Sequence, residues 1–216
     1  MRALWAAMLL GAGLAQAQAT PTSEVRLDYL NAQLIPAQWT LVLWPDGTGH
    51  FHAERSRSDQ SEAATMEPQV IDRDVHVSGK FAGRVFDMLH QHPPEQGNCE
   101  NHSKVAFQGL KTLEYRGPKG PHSCTFNYAK DREVGEVADE LISVAATLIE
   151  GERLKMIWQH DPLGLDKQIQ FMTEAAADGR LQQICAIQDT LQRLAADPGV
   201  MERVRKRAAK LAQWSQ

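Results

Sequence analysis

Long apolar stretches are almost absent from this 216-residue chain. Only one occurs, over residues 4–14, and a helix needs about 20 consecutive apolar residues to cross a bilayer, so that run is too short for a span. Its flanks give it another meaning. Arg2 precedes it, and Ala15-Gln16-Ala17 and Ala17-Gln18-Ala19 follow it as small-x-small cleavage sites, the three-part pattern of a secretory signal peptide. Residues 1–19 are therefore expected to be removed, leaving a periplasmic or extracellular protein, of bacterial origin, with no transmembrane segment. No cysteine stands directly after the apolar run, where a lipid anchor at the new N-terminus would need one, so such an anchor is not expected.

A basic excess is also lacking. The chain has 23 Lys and Arg against 27 Asp and Glu, a net charge of −4. Losing Arg2 with the leader leaves 22 against 27, or −5. Nucleic acid is not an expected partner, because such proteins carry a basic surplus or stripe. The one local exception is Arg203, Arg205, Arg207, Lys206 and Lys210 near the C-terminus. Cations in a terminal helix favour its own carbonyl end, so a solvated face is expected there rather than a polyanion or membrane contact.

The usual catalytic signatures are missing. Ser78, Ser103 and Ser123 have no Gly-x-Ser-x-Gly setting, and Gly79, Gly83 and Gly117 do not form a phosphate-cradling loop. Asp46-Gly47-Thr48-Gly49 is not the Asp-Thr-Gly order of an aspartic protease and has no second copy. Neither Cys-x-x-Cys nor His-Glu-x-x-His occurs, which removes the most specific zinc patterns. The three cysteines are Cys99, Cys124 and Cys185. In an oxidising compartment Cys99 and Cys124 are expected to pair, closing a loop worth roughly 3 kcal/mol. Cys185, between apolar neighbours in a helical pattern, is expected to be a buried, inert thiol.

Histidine is what the chain does have, with eight copies. His50 and His52 flank Phe51 in a strand-like run, so both side chains point to one face and together offer two nitrogen ligands for a divalent metal such as zinc. Were that strand to meet the helix end that carries His90 and His92, with Glu54 or Glu100 adding an oxygen, a fuller site would result. Trp39 and Trp44 are five apart, so one is expected in the core and the other outward.

Residues 38–44 read as a strand that stops at Pro45-Asp46-Gly47, a strong hairpin signal, and returns over 49–54. Residues 56–68 read as a loop, and 69–77 as a third strand. Ser78 can cap a helix over 79–90 whose face is Phe81, Val85, Met88 and Leu89, ended by Pro93-Pro94. Residues 105–110, 113–115 and 124–128 read as strands. Asp131 caps a long helix with Val134, Val137, Leu141 and Leu148 on one face, continuing through Leu154 and Trp158 despite Gly151. The order β-β-β-α-β-β-β-α implies an α+β fold, an antiparallel sheet covered by two helices over residues 24–160. Residues 165–177, 181–196 and 200–214 then read as three helices, a small all-α C-terminal extension over 162–216 expected to dock on the first part.

These features point to a non-enzymatic binding or envelope-associated protein whose partner is a protein or small ligand of the cell envelope. The alternative is a metal-dependent hydrolase using His50 and His52. Outside that alternative no cofactor is expected.

Overall fold

The computed structural model describes residues 23–55 and 68–214. The leader, and residues 56–67 of the loop expected over 56–68, lie outside the described residues. Seven strands form one sheet: β1 (Glu24–Leu30), β2 (Gln38–Leu43), β3 (Thr48–Glu54), β4 (Val70–His76), β5 (Gly97–Asn98), β6 (Leu110–Gly117) and β7 (Gly120–Phe126), in the spatial order β4-β3-β2-β1-β6-β7-β5. All neighbours are antiparallel except the short β5, which runs parallel to β7. Helix α1 (Gly79–Gln91) follows β4, and α2 (Arg132–His160) follows β7. The chain ends with α3 (Leu165–Ala177), a 3-10 turn (Ile184–Ile187), α4 (Gln188–Ala196) and α5 (Glu202–Ala212). The fold class is α+β, as expected.

Local chemistry explains most of these elements. The β2–β3 hairpin turns at Gly47, whose φ of +83° suits glycine, and the turn is closed by the Trp44 and Gly47 amides donating to the Thr48 and Trp44 carbonyls. The Ser78 hydroxyl accepts from the Phe81 amide at 3.3 Å and the Asp131 carboxylate from the Val134 amide at 3.0 Å, so both expected caps form. Alternate residues of each strand are buried: Val25, Leu27 and Tyr29 in β1, Trp39, Leu41 and Leu43 in β2, Phe51 and Ala53 in β3. They pack on Phe81, Val85 and Leu89 of α1 and on Val137, Leu141 and Leu148 of α2 in one continuous core.

Four features differ from the sequence expectation. Strand β1 adds to the expected order; it is central and pairs with both β2 and β6. Residues 105–109 are not a strand. The Tyr29 ring occupies the space over Gly109, where a Cβ would lie 2.5 Å from it, and the Tyr29 hydroxyl donates to the Gln108 carbonyl at 2.7 Å, pinning the chain off the ladder. Residues 181–196 are not one helix. Gln183 takes φ +55°, with its side chain accepting from the Ser78 amide at 2.9 Å, so only a 3-10 turn precedes α4. Cys185 therefore falls outside a continuous helix and is exposed rather than buried. Its thiol is nonetheless pushed up in pKa by desolvation, which keeps it protonated and a poor nucleophile.

The C-terminal helices share the core of the sheet through α2. Thr147 donates to the Gln182 carbonyl at 2.6 Å, Gln168 to Glu150 at 2.7 Å, and Trp158 to Asp197 at 2.9 Å. From the sheet side, Arg73 reaches Glu152 and the Ala186 carbonyl, both at 2.9 Å. The approach is close at Gly151, where a Cβ would stand 2.6 Å from Cγ2 of the buried Ile187. Gly151→Ala should therefore reverse the usual helix gain of about 1 kcal/mol and destabilise by about 1–2 kcal/mol through overpacking. Denaturant unfolding reads this directly, and an unchanged or higher midpoint would mean that α2 and the turn are not in such contact.

Candidate functional site

Among the described residues α1 and α2 cover one face of the sheet and no helix covers the other. The other carries the polar alternate residues, as antiparallel sheets with one wetted face do. Glu24, Asp28, Glu54, Asp72, Asp74 and Glu114 lie on it against two guanidinium groups, Arg26 and Arg116. With its histidines neutral this face carries 2 − 6 = −4, as much net charge as the whole chain.

His50 and His52 share this face, as the spacing implies. Strand register sets His50 opposite Asp74 and His52 opposite Asp72. The result is an interleaved ladder. His50 meets Asp74 through Nδ1 and Asp72 through Nε2, both at 3.3 Å. His52 meets Asp72 through Nδ1 at 2.8 Å and Glu54 through Nε2 at 3.2 Å. Asp72 stands between the two rings.

The Asp72 carboxylate holds the His52 imidazole above its ordinary pKa; desolvation opposes it, and Glu54 adds to the rise. A raised folded pKa means that the stabilisation contributed by His52 is complete below about pH 6.5, the ordinary imidazole value, and is lost as pH rises through the higher folded one. An NMR titration of His52 should give a midpoint above that of an exposed histidine, and Asp72→Asn should lower it. A midpoint unmoved by Asp72→Asn would break this assignment. A raised imidazole pKa also works against a metal, which requires the neutral ring.

Beside the ladder the face dips into a hollow of about 380 Å³. Its polar wall is Asp28, Thr40, Thr112, His52 and Glu54, and its apolar rim is Tyr29, Leu30, Trp39 and Leu110. Arg26 donates to both Asp28 oxygens at 2.9 and 2.8 Å, and the Thr40 hydroxyl to Asp28 at 2.5 Å. Trp39 is the core tryptophan, stacked on Tyr29 at 4.9 Å, while Trp44 is half-buried. Leu30 and Leu110 are exposed partners across β1 and β6, an apolar edge on an otherwise charged face.

The helix end with His90 and His92 does not join His50 and His52, because α1 packs on the opposite face. Glu54 does meet His52, whereas Glu100 accepts instead from the Asn127 and Tyr128 amides. Among the described residues, the group whose ligand atoms converge within 4.8 Å is His92, Asp131 and Glu133. Asp131 is already spent on capping α2, and the positive end of that helix favours the carboxylates over an added cation. The basic residues of α5 are partly used internally, Arg203 and Arg207 on Asp166 at 3.1 and 2.6 Å and Lys206 on Glu202 at 2.7 Å. Asp28, Asp72, Asp74 and Thr112 join the site through strand register and carry no motif of their own. Their signal was the polar half of the alternation in residues 24–30, 70–76 and 110–117.

Cys99 and Cys124 form a disulfide, both residues buried. Among the described residues no helix is long and apolar enough to cross a membrane. No protein-family model matches the chain, and the search of curated proteins finds no match.

Proposed function

We propose that this is an exported, non-enzymatic binding protein whose open sheet face receives a cationic partner with an apolar component, such as a lysine-containing segment of an envelope protein. The observation that carries this reading is the sheet face that no described helix covers, with six carboxylates against two guanidinium groups, next to a hollow rimmed by Leu30 and Leu110. Carboxylates on a wet surface attract cations at long range and the apolar edge adds contact area. The signal-like leader and the disulfide fit a compartment outside the cytoplasm.

The test uses a blocked pentapeptide alternating lysine and leucine, titrated by calorimetry. Binding should weaken as ionic strength rises and the Debye length falls from about 30 Å at 0.01 M to about 8 Å at 0.15 M. The triple variant Asp28→Asn, Glu54→Gln, Asp72→Asn should bind roughly three- to a hundredfold more weakly, since each lost charge pair is worth about 0.2–1 kcal/mol. Equal affinity in the variant would sink the reading.

A second reading, a metal-dependent hydrolase, draws on one observation: Asp72 adds an oxygen between the two imidazoles of His50 and His52. Zinc titration of the mature protein tests it. About one ion per chain, lost in His50→Ala, His52→Ala, would favour it, and no uptake would remove it.

A further inference from the structure

Lys111 lies on the helix-covered face of β6, between Tyr29 of β1 and Phe126 of β7, where the neighbouring positions Leu113 and Tyr115 are core. It is only 3 % exposed. A lysine ammonium has three donors. Among the described residues Nζ makes one hydrogen bond, to the Asn127 carbonyl at 2.8 Å, and it stands 5.9 Å from the centre of the Phe126 ring. Burying a charge with most of its donors unused is costly unless something else satisfies them.

Lys111 also lines a cavity of about 400 Å³ between the β6–β7 side of the sheet and the first turns of α2. That volume lies in the lower part of the range of small-molecule sites, roughly 300–1,000 Å³. The other charges of its wall are largely committed. Arg132 pairs with Glu136 at 2.7 Å, Lys130 with Glu95 at 3.6 Å, and Asp131 caps α2. Asp139 faces Lys111 across the space as its main electrostatic partner, without an ion pair between them among the described residues. Desolvation pushes the Lys111 ammonium down in pKa and the Asp139 carboxyl up, the signs expected when each charge lacks a direct partner. Phe126 and Tyr128 supply apolar wall.

We propose that this cavity binds a small organic monocarboxylate, whose carboxylate accepts from Lys111 Nζ and whose hydrocarbon body lies against Phe126 and Tyr128. A single negative charge is favoured over phosphate because Asp139 and Glu136 on the same wall repel a dianion. The site is on the opposite face of the sheet from the acidic surface and does not depend on it.

The probes are benzoate and hexanoate, each compared with its uncharged amide, in titrations followed by amide chemical-shift mapping. Both carboxylates should perturb residues around 111, 126–128 and 135–139 and bind about tenfold or more tightly than the amides, the value of a charge-assisted hydrogen bond. Lys111→Met, which keeps the stem and removes the charge, should abolish the preference. Should that variant not fold, Asp139→Asn serves, since removing the opposing carboxylate at the exposed rim should tighten carboxylate binding severalfold. No binding by either carboxylate, equal binding of the amides, or affinities unmoved by both variants would overturn the proposal.

Discussion

Replacing Cys99 and Cys124 together by alanine should lower stability by about 3.5 kcal/mol, the chain-entropy value for a loop closed across the 25-residue separation. The enclosed segment explains why the effect should be large. It contains β6, the irregular run over 101–109 that the sheet does not pair, and the approach to β7. Without the bond that irregular run is held mainly by Asn127, which accepts from the Gln108 amide at 2.6 Å and donates to the Ala106 carbonyl at 3.3 Å, and by Tyr29 on Gln108. Cys99 itself lies beside β5, whose parallel pairing with β7 spans only two residues. Chemical denaturation with and without a thiol reductant measures this, and a midpoint insensitive to both reduction and substitution would contradict it.

Leu154→Ala should cost about 2–5 kcal/mol, the range for removing a fully buried leucine side chain. Leu154 is inaccessible to solvent in the second half of α2, within the core cluster that also contains the sheet residues and those of α3 to α5. Because α2 is common to both parts, the loss should appear as one cooperative transition shifted as a whole. Separate transitions, with tyrosine-rich sheet signals unaffected, would show that the C-terminal helices form an independent unit.

Elements defined by local chemistry were legible in the sequence. The Asp46-Gly47 turn, the caps at Ser78 and Asp131, and the long apolar stripe of α2 through Leu154 each depend on residues a few positions apart. What escaped depends on distant partners. The alternation of Val25, Leu27 and Tyr29 in β1 is plain once its pairing with residues 110–116 is seen, but that partner lies more than eighty positions away. The break at Gln183 is imposed from outside the segment, by the Ser78 amide and by Thr147 on the Gln182 carbonyl. Tertiary contacts there outweigh the helical pattern of residues 181–196. The same holds for the surface ladder. Spacing alone places His50 and His52 on one face, whereas their carboxylate partners follow from the register of β3 with β4. Lys111 reads as a surface residue by type, and only its position between Tyr29 and Phe126 buries it.

Amide chemical-shift mapping of the lysine–leucine peptide on the isotope-labelled mature protein tests the binding surface most directly. The expected result is perturbation confined to β1 through β4 and β6, strongest near Asp28, His52 and Glu54, and fading as salt is added. Perturbations on α1, α2 or α5 instead, or none at low ionic strength, would contradict the assignment of the open face as the site where this protein meets its partner.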